Sequence, residues 1–248
     1  MILAVAGREL RALFLSPLAW SLLGVACFIL AWLFLVQIES FLQIEAQLNG
    51  GQSELGVTDL VIAPLFDAAG MVSLLLTPLL TMRLLSEEYR SGTIRLLFSS
   101  PVPLYQIVLG KYLAQLGLFL LLLLLTALMP LSLLLGSAID LGRVAASLLG
   151  LFLLLAGYAA IGLLISSLTA QPAVAAIATY GVLLLLWILN IPRAGETGEI
   201  LQWLSLAGHY RPFLSGLVRS SDVAYFLLLS GAALWMTTHH LERRRDAA

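Results

Sequence analysis

Long apolar runs separated by short polar connections give the chain its pattern. A helix needs about 20 mostly apolar residues, at about 1.5 Å of rise each, to cross a hydrocarbon layer. Six stretches meet that need: residues 18–38, 60–85, 106–135, 144–168, 173–191 and 223–238. The first carries no charge, the second contains Pro64, Asp67 and Pro78, and the third contains the near-unbroken leucine run 118–125. The runs are continuous rather than alternating, which argues against a transmembrane β-barrel. Ahead of them, residues 1–15 place Arg8, Glu9 and Arg11 in an amphipathic repeat that Ser16-Pro17 ends. This predicts a helix along the membrane surface rather than a cleaved signal. The expected fold class is an all-α membrane protein, a single transmembrane domain over residues 1–248 with six spans.

Orientation follows from the cations near the span ends. Arg8, Arg11, Arg83, Arg90, Arg95, Lys111, Arg243, Arg244 and Arg245 fall on one side, against Arg143, Arg193, Arg211 and Arg219 on the other. The richer side is read as cytoplasmic, with both termini on it. The acidic connection carrying Glu39, Glu45, Glu54 and Asp59 then lies outside. The long connection 192–222 also lies outside, where Trp203, Leu204, Phe213 and their neighbours predict short helices dipping into the interface. Residues 86–105 form the one substantial cytoplasmic loop between spans; 169–171 form a minimal one.

Composition supports the lipid environment. Hydrophobic residues make up 60% of the chain and charged residues 11%, with a mean hydropathy of +1.00, whereas soluble domains carry about 25% charged residues. A net charge of −1 argues against a nucleic-acid partner, which needs a basic excess. A single cysteine, Cys27, excludes a disulfide within the chain and reads as a small buried hydrophobe.

Catalytic and metal signatures are lacking. Gly110-Lys111 has no earlier glycine at phosphate-loop spacing and is followed by Tyr112. Adjacent His239 and His240 point to different sides of a helix, so with Glu242 they read as a solvated helix end rather than a metal site. His209 reads as an interfacial anchor. Asp67 is the acidic residue inside an apolar span, where burying a charge costs at least about 2.5 kcal/mol. It either lines a polar path or sits near the outer surface, neutral or capped by backbone. Thr126, Ser132, Ser166, Ser167 and Thr179 are the other candidates for a substrate path. So few polar groups favour a lipid-like or amphipathic cargo.

The loop is more specific. The second span runs through Thr77-Pro78-Leu79-Leu80-Thr81-Met82-Arg83 into Ser86-Glu87-Glu88-Tyr89-Arg90. Ser91-Gly92-Thr93 follows as a break, then Ile94-Arg95-Leu96-Leu97-Phe98 and Ser99-Ser100-Pro101-Val102-Pro103. Arg83 and Arg90 stand close enough in sequence to pair with Glu87 and Glu88. Gly92 permits a turn other residues resist, and Pro101 ends the short crosswise helix. A surface helix resting on lipid headgroups would explain the apolar residues equally well.

This stretch resembles the E-E-x-R-S-G-T-x-x-L-L-x-S-S-P-V segment of ABC-2 type transporter permeases. The whole chain is similar to the compact six-span group that includes the gliding-motility-associated permease subunit, through the amphipathic start, the 161–169 segment and span five. The resemblance implies the ABC-2, or type V exporter-like, fold: an N-terminal interface helix and a coupling helix over 91–99. It implies a permease of the bacterial inner membrane that binds no cofactor itself and works with a separate ABC ATPase, which binds ATP and magnesium. It further implies a second copy of the chain or a related permease, lipid contact and an accessory protein outside. Glu87, Glu88, Tyr89, Arg90, Ser91, Gly92, Thr93, Arg95, Leu96, Leu97 and Pro101 become the ATPase-coupling residues. Ala173, Ala175, Ala176 and Ala178 would let span five approach a partner closely. The residues 48–52, Leu-Asn-Gly-Gly-Gln, echo the ATPase signature but lie in the outer acidic loop without a nucleotide-binding context. The rival reading is a scaffold that anchors an ATPase or outer assembly and moves no substrate. A secondary transporter would need two related halves with paired broken helices, and no internal repeat is found.

The topology is testable. In a Cys27→Ala background, single cysteines at Gln52 and Ser91 should react with an impermeant thiol reagent from opposite sides. Reaction of both from one side would refute the orientation.

Overall fold

The computed structural model describes residues 2–47, 56–94, 103–133, 139–190 and 203–246, and among these the chain is helical, without strands. Helix α1 (Ile2–Leu15) gives way at Ser16 to α2 (Pro17–Gln47). Pro17 suits a first helical position because its missing N–H has no intrahelical partner there. The corner is pinned by the Trp20 indole, which donates to the Phe14 carbonyl at 2.7 Å while the two rings pack 5.6 Å apart. The helix continues past residue 38 because exposed Glu39 and Gln43 propagate a helix as readily as apolar residues do.

A π-helical turn, Thr58–Ile62, leads into α3 (Ala63–Thr81). Pro64 has no N–H to give, and just before it the ladder widens: Ala63 donates to Thr58, five residues back. After the turn at 82–85 comes α4 (Ser86–Ser91), then α5 (Leu104–Ser132) and α6 (Leu141–Leu168). Helices α7 (Pro172–Ile188), α8 (Leu206–Leu214) and α9 (Ser220–Asp246) complete the described chain. Two caps are explicit. Asp140 accepts from the Gly142 and Arg143 amides at 2.9 and 3.2 Å, and Ser205 accepts from Gly208 at 3.2 Å.

Four segments are long and apolar enough to cross a membrane: Pro17–Ile44, Thr58–Ser91, Leu104–Ser132 and Leu141–Leu168. The fifth and sixth predicted spans are helices too, but α7 has only 17 residues, and α9 interrupts its apolar stretch with Ser230, Thr237, Thr238, His239 and His240.

Helix α6 is the axis of the bundle, packed against α3, α5, α7, α8 and α9. Its small residues allow that enclosure. A Cβ on Gly150 would lie 2.5 Å from the Phe213 side chain of α8, and one on Gly162 would overlap Thr81 of α3. Helix α1 lies on α5: Val5 fills the space over Gly110 and Leu10 that over Gly117. Helix α2 is peripheral, with Trp20, Phe28, Trp32 and Leu35 exposed.

At the end opposite α4, Arg143 joins three elements. It pairs with Asp59 beside the π turn, and its Nε donates to the Leu214 carbonyl at 2.8 Å. Within the predicted 192–222 connection, α8 is packed into the bundle: Tyr210 and Phe213 are fully buried, and the Tyr210 hydroxyl donates to Phe66 O at 2.6 Å.

Gly162→Val should cost about 1–3 kcal/mol through overpacking and lower the thermal unfolding midpoint in detergent. Gly231→Ala, with open space around the added carbon and a helix interior that favours alanine, should not lower the midpoint.

Candidate functional site

An apolar helix can stop at a membrane boundary only if its last carbonyls and the next helix's first amides find partners. After Thr81, α3 unwinds over 82–85, and α6 supplies the missing group. The Ser166 hydroxyl accepts from the Leu85 and Ser86 amides, both at 3.1 Å, and donates to Met82 O at 3.1 Å. Ser86 Oγ also bonds Met82 O. One buried side chain thus closes one helix and opens the next. Helix α4 then carries Glu87 and Glu88 in its first turn and Arg90 in its last, the order the helix dipole favours. It ends at Gly92, whose φ of 74° is left-handed and whose amide donates to Tyr89 O at 3.3 Å.

Three further contacts hold α4. Glu88 Oε1 lies 2.7 Å from Lys111 Nζ of α5, and Glu9 Oε2 of α1 lies 3.4 Å from the same ammonium. The Lys111 side chain is 3% exposed. Arg244, near the end of α9, sits over the Tyr89 ring at 4.9 Å, a cation–π contact. Glu87 pairs with Arg83 at 3.8 Å, an exposed contact of little energetic weight. The expected local pairing therefore holds for Glu87, whereas Glu88 turns inward to a residue that sequence reading had not joined to it. The inward contact matters more, because the Lys111 ammonium is shielded from water and two carboxylates, Glu88 and Glu9, meet it there.

Of these ties, the outward face of α4 carries the exposed Glu87–Arg83 pair. Glu87, Arg90, Ser91 and Thr93 are exposed, and an open groove beside them is lined by Met82, Arg83, Glu87, Arg90, Gln171, Pro172 and Ala173. Arg95, Leu96, Leu97 and Pro101 lie outside the described residues, as do residues 48–52.

The path candidates are placed differently. Thr126, Ser166, Ser167 and Thr179 are all buried, and their hydroxyls bond backbone carbonyls. Ser132 bonds Met129 O at 2.6 Å at an exposed site. Each of these hydroxyls thus has a backbone partner within the chain. Asp67 is half-buried on α3, with Oδ1 enclosed and without a hydrogen-bond partner, and its charge bears on Tyr158 and Tyr210.

The histidines have other occupations. His239 stacks on Trp235. Burial, with Arg244 and Arg243 nearby, holds His240 below its usual pKa. His209 bridges Asp222 at 2.7 Å and the Trp203 carbonyl at 2.8 Å. Among the described residues no cluster of three metal ligands occurs.

Sequence reading did not find Lys111, Glu9, Arg244, or the role of Ser166 as a cap. One signal was present: Lys111 is the only lysine in the chain and stands in an apolar stretch.

Ser166→Ala would leave two amides and a carbonyl without their shared partner. It should cost about 1–3 kcal/mol and speed hydrogen exchange over residues 82–91, read by mass spectrometry, while exchange elsewhere in α6 stays as in the wild type.

A family profile described as ABC-2 family transporter protein matches residues 3–238. No curated protein matches the chain significantly. The profile covers the α1–α5 contact, the α3–α4 break and the Ser166 cap together. This chain belongs to the ABC-2 transporter family and is a membrane component of a transporter.

Proposed function

We propose that the chain is the permease subunit of an ATP-driven ABC-2 exporter and that a separate ABC ATPase docks on the 86–105 loop. The observation that carries this is the two-sidedness of α4. Its inner side is tied to α5, α6 and α9, and through Lys111 onward to α1, and its outer side offers Glu87, Arg90, Ser91 and Thr93 beside an open groove. A push on such a helix passes into four others. In this reading α7 and α9 are the fifth and sixth spans, α1 is the interface helix and both termini are cytoplasmic, in the inner membrane. The subgroup is the gliding-motility-associated one.

Two chains pair through α7, where Ala173 and Ala178 are exposed and Ala176 is half-exposed, whereas Ala175, also expected there, is buried within the protomer. Because the hydroxyls inside the protomer are spent on its own backbone, the cargo moves between subunits or along the lipid face. That favours a lipid-like or amphipathic molecule, with Asp67 the remaining polar candidate. A scaffold would show the same docking without transport.

Gly92→Val forces a side chain into a left-handed backbone, a strain of about 1–3 kcal/mol, and Glu88→Ala frees α4 from Lys111. Both variants should insert normally yet lose ATPase docking or substrate-stimulated hydrolysis when reconstituted in lipid with the cognate ATPase. Wild-type docking and stimulation in both would remove the loop from the mechanism. Loss of docking with no transport in the wild type would favour the scaffold.

A further inference from the structure

Two helices from distant parts of the chain meet at one buried ammonium. Val5 and Leu10 seat α1 on Gly110 and Gly117 of α5, which brings Glu9 level with Lys111. From the other side α4 delivers Glu88. The ammonium therefore has two carboxylates, at 2.7 and 3.4 Å, where one would neutralise it. Glu9 has a second cation in Arg8, 3.1 Å from its other oxygen, whereas Glu88 Oε2 is enclosed and has no hydrogen-bond partner.

The surplus carboxylate has a physical consequence. A buried ion pair with a single acid cannot open without leaving a bare ammonium in a poorly solvated place. Here Glu88 can leave with α4 and enter water while Glu9 keeps Lys111 paired. Neither charge is stranded in either arrangement.

We infer that Glu9 and Lys111 are positioning residues that form a releasable clasp for α4. Glu88 is the part that detaches, and Glu9 is the standing counter-ion that makes detachment affordable. The clasp itself rests on the geometry above; its use in transport rests on the proposed ATPase contact.

The test is the sign of two near-isosteric substitutions in the full chain in lipid nanodiscs, read by hydrogen exchange over residues 86–91. Glu88→Gln weakens the closed state and should speed exchange about tenfold. Glu9→Gln removes the standing counter-ion, so opening becomes harder and exchange should slow about tenfold. A merely structural contact predicts faster exchange in both. Spin labels at Ala12 and Ser91, in the Cys27→Ala background, should likewise show a broader distance distribution in Glu88→Gln and a narrower one in Glu9→Gln. If Glu88→Gln does not accumulate, Glu9→Gln decides alone, since a structural contact does not tighten on losing a bond. Faster or unchanged exchange in Glu9→Gln overturns the clasp. With the cognate ATPase present, Glu9→Gln should dock normally and lower stimulated hydrolysis. Opposed exchange shifts with unaltered hydrolysis would uphold the clasp and count against the coupling role of the loop.

Discussion

The architecture around α4 depends on breaking an apolar helix without abandoning its backbone. Where α3 unwinds, amides and a carbonyl lose their helical partners in a setting with little water to replace them. Ser166 answers three of these groups from another helix. That solution requires α6 to stand against the break at a fixed height. Gly162, one turn before Ser166, makes the approach possible by giving Thr81 room. The break and the bundle axis are therefore one construction, and the orientation of Glu88, Tyr89 and Gly92 follows from it.

Five buried threonines meet the same need within their own helices. Those at 77, 81, 126, 179 and 237 each donate to the carbonyl four residues back, so these hydroxyls add no unmet donor. The ion pairs that join elements lie at the two ends of the bundle, with Lys111 at one and Arg143 at the other, each joining three elements, while Asp67 stands between them on α3. Between them the helices meet through shape: glycine opposite phenylalanine at one level, glycine opposite threonine at another.

How far the sequence foretold this follows from how local each determinant is. Apolar runs are local, and the helices from α2 to α9 that they predicted are present. Their ends were less legible, because α2 continues through Glu39, a polar residue that propagates a helix, and α9 starts before Val223 on Ser220, Ser221 and Asp222, polar residues suited to a helix start. Four of the six runs have the length and apolarity to span, whereas α7 has 17 residues and α9 carries polar residues within its apolar stretch. The end of α4 was readable from Gly92, whose positive φ is a local need; the α3–α4 break at 82–85 was not, since the apolar run continues through it and the second span was read as unbroken. The partners of α4 were not readable: Glu9, Lys111, Ser166 and Arg244 come from four separate segments and carry no mark of their common destination. Thr126 and Thr179 look alike as path candidates and as self-satisfied hydroxyls, because hydroxyl direction is a property of packing.

The pinned corner at Ser16 has a mechanical meaning. With the Trp20 indole bonded to Phe14 O, the angle between α1 and α2 is held by a hydrogen bond and a ring contact. Helix α2, 31 residues long, extends about 46 Å from that corner, and one stripe of it, Ala19, Leu23, Ala26, Leu30 and Phe34, is buried against the bundle. Without that stripe, a rotation of only about 5° at the corner would sweep the distant tip through about 4 Å, nearly the width of an acyl chain. Corner and stripe together therefore set the tilt of α2, with its remaining face left to lipid.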